Sequence, residues 1–198
     1  MITLYSSPEC PFSHQTRIVL AEKQIEARVI DVVDGQWPED IAAANPYGMP
    51  PVLVDGDLIL YDSHIINSYL DERFPSPRLL PAEPAQRAKM RLMLHRMERD
   101  WYAKWNTLIG LEKGKIKQAR QYLAEDLTVL APLFADSPYF LSSQFSLLDC
   151  SLAPLLWRLP MLQIKLPVKA KAVEAYAQYI FSRDSFQASL SDSERAMR

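Results

Sequence analysis

Glycine and cysteine are both scarce in this 198-residue chain, at five and two copies. The glycines stand singly, which excludes a Gly-rich phosphate loop and a dinucleotide fingerprint. Cys10 and Cys150 are too few for a disulfide scaffold and lack zinc-finger spacing. His14, His64 and His95 share no two- or four-residue spacing, so no metal site is expected. Ser-nucleophile motifs are absent as well. No apolar run approaches the ~20 residues of a membrane-spanning helix, and the chain opens directly on an alternating apolar segment. Neither a membrane contact nor a signal peptide is therefore expected. What is present is a 48% hydrophobic share, enough for a core in one domain or two small ones. The expectation is a globular, cytoplasmic protein.

A net charge of −2 conceals an asymmetry. The first 84 residues carry 13 acidic and 5 basic side chains, and the remaining 114 carry 11 and 17. Arg87, Lys89, Arg91, Arg96, Arg99 and Lys104 lead the basic half, followed by Lys113, Lys115, Lys117 and Arg120. Nucleic-acid proteins concentrate such charge, but they usually have a basic overall balance and a reading motif. With a pI near 5.9 and no such motif, this pattern reads as a solvated helix face, without direct nucleic-acid binding.

The order of local signals is β-α-β-α-β-β-α. Ile2–Tyr5 is a short β-prone run, and Pro11 suits the first position of a helix carrying Ile18 and Val19. Ala27–Val33 reads as a second strand and Trp37–Ala44 as a short helix. Two apolar runs flank Asp55-Gly56-Asp57, a hairpin signal, and Asp62-Ser63 then caps a helix. Pro75, Pro77, Pro81 and Pro84 mark an extended linker. Beyond it the pattern is helical, with a stripe of Met90, Leu94, Met97, Trp101, Trp105 and Leu108 and a further helix over about 115–134. Ser146 and Asp149 have capping-box spacing, with Phe145 and Cys150 placed to staple the helix start.

Cys10 is the sharpest catalytic candidate, because a helix N-terminus stabilises a thiolate. His14, one turn later, is placed to pair with that thiolate as a cation.

This organisation resembles the glutathione transferase fold over essentially the whole chain. Its markers are Pro51 before Val52-Leu53-Val54-Asp55, the Asp62-Ser63 pair, and Phe145-Ser146-Leu147-Leu148-Asp149. The resemblance implies a thioredoxin-like α/β domain over 1–78, a Pro-rich linker over 79–85 and an all-α domain over 86–198. Cys10-Pro11-Phe12-Ser13 is similar to the single-thiol site of glutaredoxins and omega-like transferases, implying a glutathione-dependent thiol transferase as one reading. Asp62 and Ser63 would hold the γ-glutamyl group, and Pro51 matches the family's cis-proline. The residue before that proline normally offers both N–H and C=O to glutathione; Pro50 has no N–H, so one bond is lost and glutathione is at most a weak ligand.

More specific strings resemble the stringent starvation protein A family. They include Ser13-His14-Gln15 with Arg17 through Lys23, Tyr69 through Pro75, His95-Arg96, Asp100-Trp101-Tyr102, Tyr139 through Ser142, Phe145 through Cys150, Ala153 through Pro160, and Arg183-Asp184-Ser185-Phe186. This resemblance implies a non-enzymatic, homodimeric regulator that binds RNA polymerase holoenzyme under stress and needs no cofactor. The family's surface Pro-His-Pro pocket maps onto Pro75, Ser76 and Pro77, with Ser76 in place of the histidine. A cysteine at position 10 is outside the family pattern.

Overall fold

Alternate residues of Ile2–Ser6 are buried, the period of a half-covered strand, β1. The computed structural model describes residues 1–33, 35–110 and 114–198; Lys113, counted above among the basic residues, lies outside them. β1 pairs in parallel with β2 (Ala27–Asp31) and antiparallel with β3 (Val52–Asp55), which returns as β4 (Leu58–Tyr61). The sheet order is β2-β1-β3-β4. Parallel pairing of β1 and β2 needs a crossover, which helix α1 (Pro11–Glu22) supplies. Gly56, at φ +61°, takes the left-handed position of the β3–β4 turn, where a side chain would be strained. The short helix α2 (Glu39–Ala44) connects β2 to β3, and helix α3 (Ser63–Arg73) follows β4.

Every residue of α1 from Ser13 to Leu20 is buried, including His14, Gln15 and Arg17. A helix covered all round needs partners on several sides, and α3 is one of them.

The chain divides into two compact units. The first is Met1–Arg78 with Asp184–Ala196, and the second is Leu79–Arg183 with Met197–Arg198. This differs from the expected division in two segments. The expected linker over 79–85 falls within the second unit, with Leu79 and Leu80 buried and Pro84 already opening a helix. Asp184–Ala196 packs on α1 rather than closing the helical part. In doing so it moves Asp184, Asp192 and Glu194, against Arg195 alone, to the acidic unit.

The second unit runs α4 (Pro84–Asp100), a 3-10 turn at Tyr102–Lys104, α5 (Trp105–Leu108), α6 (Ile116–Val129) and α7 (Ala131–Ala135). It continues with α8 (Leu147–Trp157), a 3-10 turn at Val168–Ala170 and α9 (Lys171–Phe181). The expected single helix over 115–134 is two helices broken at Leu130. Pro132 cannot donate to the carbonyl of Thr128 and its ring would collide with it. α8 is buried along its whole length, and α4 and α9 pack against it. Ser146 and Asp149 form the capping box that starts α8, and Cys150 is fully buried behind it. The final helices, α10 (Asp184–Ser189) and α11 (Asp192–Arg195), belong to the first unit.

Candidate functional site

Cys10 occupies the N-cap of α1 in extended conformation, half-buried, with Pro11 at the first helical position. Its Sγ donates to the Pro50 carbonyl at 3.8 Å. The fold thus brings together two features 40 positions apart in sequence, the thiol and the cis Pro50–Pro51 peptide. The contact is one that the protonated thiol makes, since a thiolate has no hydrogen to donate. Pro50 therefore offers a ligand no N–H, and its carbonyl already accepts a bond.

His14 does not stand beside the thiol. Its ring is fully buried, with Nε2 3.0 Å from Ser189 Oγ and Nδ1 3.4 Å from Glu194 Oε1. The expected thiolate–imidazolium pair is therefore corrected: α1 turns this side chain toward the Asp184–Ala196 segment.

Asp62 and Ser63 begin α3. Asp62 sits at φ +72°, ψ 120°, a sparsely populated region that costs a non-glycine residue of order 1–3 kcal/mol. Its carboxylate accepts from the His64 N–H at 2.8 Å and the Ile65 N–H at 3.3 Å, the work of an N-cap. Ser63 is buried and donates to Gln15 Oε1 at 3.0 Å, which ties the start of α3 to α1. Gln15 Nε2 is buried without a hydrogen-bond partner. Both side chains assigned to a γ-glutamyl group thus serve local structure.

Pro75, Ser76 and Pro77 form an exposed segment directly after α3. Arg73 covers the Phe74 ring at 5.4 Å on its approach. Beneath it lies Lys23, whose buried ammonium meets Asp71, the Phe74 carbonyl and the Pro77 carbonyl. The sequence reading missed Lys23 as a site residue, because a lysine ending an amphipathic helix normally faces water. The only available signal was its membership of the Arg17–Lys23 string.

In the second unit, Asp149 Oδ1 accepts from Tyr176 at 2.6 Å and from the Phe140 N–H at 2.9 Å. Burial raises its pKa above the carboxylate norm, and these bonds oppose that shift. The Tyr176 phenol is pushed well above its usual value by burial and by the Asp149 charge. This cluster ties the loop at Phe140 to α8 and α9 and serves the core of the second unit. Among the described residues no group of three His, Cys, Asp or Glu is placed to hold a metal, and no helix is long and apolar enough to cross a membrane.

The architecture defines the class. Residues 4–78 match the glutathione S-transferase N-terminal domain and residues 93–178 the C-terminal domain. Glutathione transferase Omega 3C from Trametes versicolor superposes with a TM-score of 0.82 and 27% identity, over 96% of this chain and 84% of that one. The fold is glutathione transferase-like, a thioredoxin-like α/β domain followed by a helical one. Within that class the similarity narrows. The stringent starvation protein A homolog of Coxiella burnetii is 45% identical over 202 residues, covering 100% of this chain and 95% of the relative. That of Pasteurella multocida is 46% identical over 195 residues, covering 96% and 90%. The chain belongs to the stringent starvation protein A family.

Proposed function

We propose that this protein is an RNA polymerase-associated regulator of transcription, acting in the cytoplasm as a homodimer by protein binding during stress or stationary phase. Family membership over the full length carries this reading. The exposed Pro75-Ser76-Pro77 segment is the proposed polymerase contact, because two prolines preset its backbone and limit the ordering entropy of binding. No cofactor takes part in that contact, and neither nucleic acid nor membrane is bound directly.

The charge pattern supports the dimer. α4 buries only Leu94 and Met97 and exposes Arg91, Leu92, Arg96 and Arg99. The first unit is acidic and exposes Tyr47, Met49 and Ile65, with Tyr47 packed edge-on to Tyr61 at 5.7 Å. A second copy offering the opposite sign suits both surfaces: charge steers the encounter and apolar anchors supply affinity.

The competing reading is a glutathione-dependent thiol transferase using Cys10, favoured by the thiol's place beside Pro50–Pro51. An affinity pull-down from stationary-phase cells, with mass spectrometry of retained proteins, separates the two. Enrichment of RNA polymerase subunits supports the regulator. Their absence, together with glutathione-dependent disulfide reduction abolished by Cys10→Ser, supports the enzyme.

A further inference from the structure

Lys23 is the C-cap residue of α1, and its side chain is completely buried. An ammonium carries three N–H donors and no acceptor. The Lys23 Nζ has three partners: Asp71 Oδ1 at 2.7 Å, the Phe74 carbonyl at 2.7 Å and the Pro77 carbonyl at 2.5 Å. Each hydrogen therefore has its own acceptor. Asp71, on α3, is itself 4% exposed and supplies the counter-charge.

The two carbonyls bracket Pro75 and Ser76. Proline has no N–H, so this stretch has little with which to satisfy its own carbonyls, and a donor must come from elsewhere. Burying an ammonium is costly unless it is paired and hydrogen-bonded. An apolar side chain would fill the same space without that cost but would leave both carbonyls unmet. The geometry therefore points to a task beyond filling the core.

We infer that Lys23 is the positioning residue of the polymerase contact. It holds the backbone of Pro75-Ser76-Pro77 in its binding shape through the Phe74 and Pro77 carbonyls, with Asp71 as counter-ion. This inference rests on the reading of that segment as the contact.

The test measures affinity for purified RNA polymerase holoenzyme beside thermal melting, for the full chain and three variants. The double variant Lys23→Met/Asp71→Leu replaces the buried pair by apolar groups of similar size, a change that is often neutral for stability. It is expected to melt at or above Asp71→Asn, which leaves the ammonium short of its counter-charge, yet lose about tenfold or more in affinity, as hot-spot losses do. Asp71→Asn keeps the lysine and both carbonyl bonds while weakening the ion pair. It is expected to melt lower but bind within about twofold of wild type. A merely structural role would order the variants the other way, with affinity following melting temperature. The third variant replaces Pro75, Ser76 and Pro77 by alanine. If it loses affinity while the double variant binds as wild type, positioning by Lys23 is overturned and the contact stands. If it binds as wild type, the contact itself is overturned. Should the double variant not fold, loss of affinity in folded Asp71→Asn by tenfold or so still contradicts the inference, since both carbonyl bonds remain.

Discussion

Arg17 and Glu194 stand 177 positions apart in sequence and meet at 2.6 Å inside the first unit. Around this pair Arg17 also donates to the Ser189 carbonyl at 2.9 Å, to Ser6 Oγ at 2.5 Å and to the Ser7 carbonyl at 3.3 Å. Glu194 closes a capping box with Ser191 at the start of α11. The Ser189 hydroxyl donates to the Phe186 carbonyl at 2.7 Å, so it accepts from His14, whose Nε2 therefore carries a hydrogen. These bonds pin the Asp184–Ala196 segment to α1. Glu194→Gln leaves a buried guanidinium without its counter-ion and is expected to cost roughly 3–5 kcal/mol in urea unfolding. Arg17→Met/Glu194→Leu is expected to cost less than Glu194→Gln alone. The reverse order would contradict the account of this pair.

The Asp149–Tyr176 contact predicts an alkaline effect. The Tyr176 phenol has its pKa raised above 10.0, so the folded state holds that proton longer than the unfolded state. Stability from this group is complete below pH 10.0 and is lost as pH climbs toward the raised folded value. Tyr176→Phe is expected to cost about 1.5–3 kcal/mol at neutral pH, the range for a hydrogen bond to a charged group. The variant's stability should then fall less steeply than wild type above pH 10.0. Parallel alkaline limbs in denaturant titrations would count against the assignment.

Glu83 gives the opposite sign at acid pH. As N-cap of α4 its carboxylate accepts from the Ala85 and Gln86 N–H groups, which lowers its pKa below 4.5. Its stabilisation is present above that ordinary value and is lost as pH falls through the lowered one. Glu83→Ala is therefore expected to melt below wild type at pH 7, with the difference vanishing in acid. A difference that persists at low pH would show that capping charge is not its source.

Pro50 offers a direct test of the candidate glutathione site. Pro50→Val restores one backbone N–H while keeping the Cys10 thiol and the position-50 carbonyl that it meets. A recovered hydrogen bond of about 0.5–1.5 kcal/mol corresponds to up to roughly tenfold tighter glutathione binding, readable by calorimetry. Wild-type protein that already binds glutathione tightly would refute the argument from the missing donor.

The α/β order, the β3–β4 hairpin and the Ser146/Asp149 capping box were legible in sequence because each is written in adjacent residues. The helix over 115–134 was overextended because apolar periodicity outweighed the one proline that breaks it. The Met90–Leu108 stripe likewise runs past the end of α4 at Asp100 into a 3-10 turn. Cys10 could be named from its place at a helix start, whereas Pro50, Pro51, Asp62 and Ser63 could be named as site residues only through the resemblance to the transferase fold. What escaped was every relation across long separations: His14 to Ser189, Arg17 to Glu194, and Lys23 to Pro77. Local periodicity does not encode which buried polar group answers which. Within the buried string Ser13–Arg17, the side chains of His14, Gln15 and Arg17 are held by partners that only the fold brings near.

The most direct test is equilibrium binding of the purified protein to purified RNA polymerase holoenzyme, with Cys10→Ala and the alanine replacement of Pro75, Ser76 and Pro77 measured alongside. The account predicts unchanged affinity for Cys10→Ala and a loss of about tenfold or more for the alanine replacement. Wild-type affinity in the alanine replacement, or no holoenzyme binding by the native protein, would contradict it.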